Sequence, residues 1–208
     1  MCPVADTRSE VSGIGGSDLV HAVKRDRRVE RTRRAILDAF RNLVLTRGYD
    51  TISVRDIVDS AGVGRSTFYE HFDDKDDLFR ESLHPLLSVL ADAIGDRRDL
   101  ERLHGVIAHF GHNRRLARIM LAGPGRRLMA RFLSELIENQ LTVLARQTRG
   151  AKPMVPLRLI ATHLAEAQLG LIEAWMFAKT ACASDAVANA LQASATASVA
   201  ALLARKAT

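Results

Sequence analysis

Between Ser53 and Phe72 the sequence reads SVRDIVDSAGVGRSTFYEHF, and this stretch limits the folding choices of the chain more than any other. Val54, Ile57, Val58 and Ala61 recur at helical spacing, as do Phe68 and Phe72, so each set shares one helical face. Gly62 stands between the two sets and can take the positive φ that lets the chain turn sharply. Ser53 is placed to cap the first helix, with Asp56 three residues on in a variant capping box. The stretch predicts two short helices joined by a glycine turn, a helix-turn-helix. Arg65, Ser66, Tyr69 and His71 lie off the Phe68–Phe72 face. The second helix thus has an apolar back and a front of hydrogen-bond donors.

The flanks carry the same helical period. Before the motif, Ile36, Leu37, Phe40, Leu43 and Val44 form a stripe that starts near Glu30 and ends at Gly48, a suitable left-handed cap. After it, DDKDDLF predicts a helix capped by Asp73 or Asp74, with first-turn carboxylates opposing the helix dipole. Phe79, Leu83, Leu86, Leu87 and Leu90 continue its buried face, and Pro85 should kink or break it. Further helices are expected near 99–111, 113–122, 126–147, 155–180 and 184–205, separated by Gly111, Gly123-Pro124-Gly125 and the 150–156 segment. Alanine takes 11 of the positions 181–204, and such small side chains let helices approach closely. With aromatics at 5% and few β-branched runs, the chain reads as all-α.

The net charge of +6 points to an anionic partner. Lys24, Arg25, Arg27, Arg28, Arg31, Arg33 and Arg34 face only two acids, Asp26 and Glu30, in one short stretch. Residues 1–23, glycine- and serine-containing and without a period, are expected to be a disordered arm. Cys2 and Cys182 imply no disulfide framework. The start of the chain lacks the pattern of a signal peptide, and His163, Glu166, Gln168 and Glu173 interrupt the best apolar run. A cytoplasmic protein is expected.

The residues Ala35 to Phe79, AILDAFRNLVLTRGYDTISVRDIVDSAGVGRSTFYEHFDDKDDLF, resemble the TetR family of transcriptional regulators. The likeness lies in the Gly-Tyr pair ending the first helix, the Ser-Val, the Ala-Gly-Val, the Thr-Phe-Tyr-x-His-Phe and the acidic-Lys-acidic-Leu run. Gly64 departs from it, standing where the family often has serine; glycine is a tolerable cap. The resemblance implies a three-helix DNA-binding head (24–74) and a helical body (75–208) for effector binding and dimerisation. In such a head the second helix of the motif enters the major groove. Gly64, Arg65, Ser66 and Thr67 would then approach base edges, with Arg65 the best candidate for a guanine. Tyr69, His71, Lys75 and Ser53 would serve phosphates, and Lys24, Arg25, Arg27 and Arg28 would reach phosphates or the neighbouring minor groove. The expected lining of the effector cavity is Leu90, Phe110, Met120, Met129, Phe132, Leu136, His163 and Trp175. Homodimerisation is expected through Leu157–Lys179 and Asp185–Leu203, striped by Leu164, Leu171 and Trp175 and by Val187, Ala190, Leu191 and Leu202.

Other features have plainer readings. Six arginines and no acid between Arg114 and Arg131 suggest a solvated helix surface, with an acidic ligand or partner as the alternative. His104, His109 and His112 do not make a metal site, because only the last two share a face. Cys182 is expected in the core or an interface. His163, Glu166 and Glu173 could be partly exposed, or paired across a dimer or by a ligand. No nucleophile–base pair, metal spacing or phosphate-binding glycine loop supports an enzyme, and no cofactor is expected. The chain reads as a repressor binding a pseudo-palindromic operator and released by a small molecule. The competing function is an architectural or protein-interaction DNA-binding dimer without an effector pocket.

Overall fold

The computed structural model describes residues 16–95, 100–148, 152–177 and 181–203. Among them nine α-helices and one 3-10 turn occur, and no strand. The helices are α1 (Gly16–Arg47), α2 (Val54–Ala61), α3 (Arg65–Tyr69), α4 (Lys75–Asp92) and α5 (Leu100–His112). They continue with α6 (Arg114–Leu121), α7 (Pro124–Gln147), α8 (Leu157–Phe177) and α9 (Ser184–Leu202), and the 3-10 turn is Tyr49–Thr51.

α1 begins before its apolar stripe does. The expected arm lies outside the described residues up to residue 15, but from Gly16 the backbone is already helical. That first part contains no proline and carries several good helix formers, so the α1 stripe can propagate a helix toward the N-terminus. Ile36, Phe40 and Val44 are buried as the periodicity required. Gly48 closes the helix at φ 79°, with its amide donating to the Val44 carbonyl at 3.0 Å.

The motif folds as its residues dictate. The Ser53 hydroxyl accepts from the Asp56 amide at 3.2 Å, and the Asp56 carboxylate accepts from the Ser53 amide at 2.9 Å, completing the capping box. Gly62 sits in the left-handed region at φ 65° and ends α2. Phe68 and Phe72 are buried against it. Asp74, rather than Asp73, caps α4, accepting from the Asp77 amide at 2.7 Å.

Of the two outcomes expected at Pro85, the break does not occur, and α4 runs continuously to Asp92. Pro85 is exposed, so the carbonyl one turn back that it leaves without a donor can be solvated. Leu164, Trp175, Val187 and Leu191 do not face a partner copy, because all four are buried within their own chain. α8 packs along α7 and α9, and α9 along α5, and these contacts consume the largest side chains of both helices. The faces left exposed are made of Leu159, His163, Ala167 and Ala174 on α8 and of Ala190, Ala193 and Ala197 on α9.

A chain of aromatic rings joins head to body. Phe79 of α4 lies 6.1 Å from Phe40 of α1, 4.6 Å from Tyr49 and 6.4 Å from Phe132 of α7, centroid to centroid. Such contacts add to simple burial. The head is therefore rooted in the same core as the body.

Candidate nucleic-acid interface

Gly64 caps α3 in an extended conformation and offers no side-chain hydrogen bond. Beyond it Arg65, Ser66 and Tyr69 are exposed, Thr67 and His71 are half-buried, and Phe68 and Phe72 anchor the helix from behind. The Arg65 guanidinium lies over the Tyr69 ring, 5.8 Å from its centroid, and Nη2 donates to the phenolic oxygen at 3.5 Å. The reading edge is thus short, projecting and braced by packing.

Lys75 has a different environment from the one expected. Its ammonium donates to the carbonyls of Tyr49 at 3.0 Å and Ile52 at 2.9 Å, and lies 4.1 Å from the centre of the Tyr49 ring. Two of its three protons therefore hold the α1–α2 joint. Ser53 is committed in the same way, because its hydroxyl proton goes to Asp56. Those hydrogen bonds from Ser53, assisted by Arg47, hold the Asp56 carboxyl below its ordinary value.

The carboxylates from Glu70 to Asp77 are largely absorbed by the fold. Asp74 caps α4, and Asp77 accepts from the Asp73 amide at 3.3 Å. Asp76 accepts the Tyr49 hydroxyl and lies 3.9 Å from Arg131 of α7. Burial, reinforced by the bond to Asp76, pushes the Tyr49 phenol well above its ordinary value. Glu70 and Asp73 are the exposed carboxylates that remain.

On α1, Arg27, Arg28, Arg31 and Arg34 are exposed, and Arg34 pairs with Glu30 at 3.0 Å. Arg33 is turned inward: it pairs with Glu81 of α4 and lies 5.3 Å from the centre of the Phe72 ring. The side chains of Lys24 and Arg25 lie outside the described residues.

In the second basic stretch Arg115, Arg118, Arg127 and Arg131 are exposed, as a solvated face requires, but several of the six arginines also hold other helices. Arg114 donates to the Trp175 carbonyl at 2.9 Å, and Arg118 to the Met176 carbonyl at 2.9 and 2.8 Å. The last carbonyls of a helix have no partner within it, and a guanidinium fork answers both their hydrogen bonding and the dipole. Arg126 pairs with Glu166 and, at 3.4 Å, with Glu173. These two carboxylates thus find their partner within the chain, while His163 is exposed. Cys182 is exposed rather than in the core. No group of His, Cys, Asp and Glu among the described residues could hold a metal ion. No described helix is long and apolar enough to cross a membrane.

A cavity of about 430 Å³ lies behind the head. Of the lining expected from sequence, Phe110, Met120 and Met129 are present. Leu90, Phe132, Leu136, His163 and Trp175 are not. Phe132 belongs to the aromatic chain, and Trp175 packs on Gly111 while its indole donates to the Cys182 carbonyl at 3.0 Å. The walls missed from sequence include Phe40 and Val44 of α1, Phe79 and Leu86 of α4, and Leu116 of α6. All five follow ordinary helical periodicity, and nothing local distinguishes a cavity wall from core.

Residues 36–82 match the family model described as bacterial regulatory proteins, tetR family. An uncharacterized HTH-type transcriptional regulator of Haemophilus influenzae is 40% identical over 50 residues, 24% of this chain and 24% of that protein. The likeness thus spans about a quarter of that curated relative's length. Among solved structures, a TetR transcriptional regulator from Streptococcus agalactiae is similar with TM-score 0.56 at 24% identity, covering 84% of this chain and 98% of that one. A TetR-family regulator from Streptomyces coelicolor is similar with TM-score 0.58 at 22% identity, covering 82% and 95%. These structural likenesses show the fold, and the family model falls on the helix-turn-helix built around Phe68 and Phe72. Residues 36–82 thus match the helix-turn-helix head of the tetR family of bacterial regulatory proteins, and the described helices share the fold of solved TetR-family regulators.

Proposed function

We propose that this regulator is a repressor that binds a pseudo-palindromic operator as a homodimer and is released when a small molecule fills the cavity behind the head. The observation that carries this reading is the position of the cavity. Its walls come from α1 and α4, which orient the reading helix, and from α5, α6 and α7 of the body. A ligand there would press on both sides of the head–body junction. Packed elements respond to such pressure by shifting as units. The apolar lining with a few polar groups, Ser82, His109 and Asn113 among them, suits a small-molecule site better than an architectural protein with a solid core.

The dimer would use the exposed faces of α8 and α9, where Ala190, Ala193 and Ala197 allow close helix approach. Arg65, Ser66 and Thr67 would read bases, and Tyr69, with the exposed arginines of α1, would meet phosphates. Selection of binding sequences from a random pool, followed by footprinting, tests this directly. The expected result is two inverted half-sites about one helical turn apart, or a multiple of it. Protection of a single asymmetric site would overturn the dimeric operator reading.

A further inference from the structure

Gln168 of α8 is buried, 2% exposed, and neither its Oε1 nor its Nε2 has a hydrogen-bond partner. No other buried side-chain nitrogen or oxygen among the described residues shares that state. At about 100° per residue, Gln168 falls near the middle of the buried arc of α8. Leu164 and Ile172 flank it one turn away, and Ala161 and Trp175 two turns away. Its carboxamide therefore projects into the helical bundle. Buried polar groups are nearly always paired, and an unpaired amide costs stability that an apolar side chain of similar shape would not.

The surroundings restrict what could pair with it. Apart from Gln192 on α9, the buried side chains among the described residues are apolar, and none is charged. A charged ligand would lose its hydration there with no counter-ion in return. A carboxamide sets an acceptor and a donor side by side, so its complement is an uncharged group with the same adjacent pair, such as a primary amide or a lactam. Room for an apolar body lies nearby. The buried walls of the cavity include Phe110 of α5 and Met129 of α7. α8 packs along α7 and meets α5 where Trp175 lies on Gly111. Methionine is unbranched and adapts its shape easily, so the buried Met129 of α7 can yield to a ligand in the cavity it lines.

We propose that Gln168 is the polar anchor of the effector site, pairing through both amide atoms with an uncharged, largely apolar ligand that carries an amide or lactam group. The hydrocarbon body of that ligand lies toward the cavity, beyond Met129. The inference rests on the reading of the cavity as an effector site.

Three probes of equal chain length test it on the full chain: decanamide, methyl decanoate, which has acceptors but no donor, and decanoate, which is charged. Binding is followed by thermal shift and by emission of Trp175, the single tryptophan of the chain. Decanamide should bind the parent about tenfold more tightly than methyl decanoate, the worth of one net hydrogen bond, and decanoate should bind most weakly. Gln168→Leu removes the unpaired amide, so the free variant should melt about 2–4 °C higher and bind decanamide and methyl decanoate alike. Gln168→Met gives the same comparison if the leucine variant folds poorly. Absence of a decanamide preference in the parent, or its persistence in both variants, would overturn the anchor. Release of operator DNA is measured separately. Gln168-dependent binding of decanamide without release keeps the anchor and sinks the effector reading, whereas release that ignores Gln168 does the reverse.

Discussion

Lys75→Met separates a structural lysine from a DNA-binding one. Methionine keeps the length and most of the apolar stem but removes the charge and every donor. In the structure the ammonium donates to the Tyr49 and Ile52 carbonyls, at 3.0 and 2.9 Å, and lies over the Tyr49 ring. The Tyr49 carbonyl also accepts the Ile52 amide at 3.4 Å, so the variant leaves it one partner, while the Ile52 carbonyl loses its ammonium. A hydrogen bond to a charged group contributes about 1.5–3 kcal/mol. A cation over an aromatic face adds about 0.5–1 kcal/mol at an exposed site.

The ammonium gives up part of its hydration on becoming half-buried, which offsets some of this gain, so a net loss of roughly 2–3 kcal/mol is expected. For a chain of this size that is a fall of roughly 4–12 °C in melting temperature. Urea melts followed by circular dichroism give the stability. Operator binding measured from low to high salt gives the number of phosphate contacts. A structural Lys75 predicts weaker binding with a nearly unchanged salt slope, because a misplaced head loses affinity without losing a specific ion contact. A variant as stable as the parent, whose slope falls by about 0.9 per half-site, would refute the reasoning and return Lys75 to the phosphate backbone.

Arg65→Ala should relax base preference at one position per half-site at a cost of about 1–3 kcal/mol; an unchanged selected consensus would remove Arg65 from base reading. Ala190→Arg, on the exposed face of α9, should give folded monomers in sedimentation that lose tight operator binding, and folded dimers would place the interface elsewhere. Tyr49→Phe should flatten the alkaline limb of stability. The folded phenol ionises well above its ordinary value of 10.0, so its contribution is complete below that pH and is lost as pH rises beyond it. Urea melts across that range should fall faster for the parent than for the variant, and parallel curves would mean the phenol is not held by Asp76.

The head was legible because its signals are local. A capping box, a glycine with positive φ and two phenylalanines four apart each specify a backbone event within a few residues, and the structure contains all three. The charged residues were misread where their partners are distant in sequence. Nothing near Arg114 or Arg118 shows that α8 will end with open carbonyls some 60 residues later, at positions 175 and 176. Arg126 meets Glu166 and Glu173 only because α7 packs along α8. The cavity was half legible for a related reason. Phe110, Met120 and Met129 are body residues, but Phe40 and Val44 belong to α1 of the head, and a division at 74/75 leaves them out.

Ser53 and Lys75 were candidates for the phosphate backbone because they are polar and lie in or beside a DNA-binding motif, and Arg33 stands in the basic stretch of α1. Each is turned to hold one head element on another: Ser53 to start α2, Lys75 to close the α1–α2 joint, Arg33 to pin α1 against α4. Asp76 and Arg131 then carry the joint across to α7, whose first turn lies near Tyr49 and Phe79 at Gly125. A head so fastened cannot tilt freely, because tilting must break charge-assisted contacts in a partly buried setting, where they are strongest. Phe79 stands in both places, stacked on Tyr49 at the joint and lining the cavity. On the proposed reading, a ligand that moved Phe79 would act on the joint by direct contact, and through the joint on the head that carries Arg65.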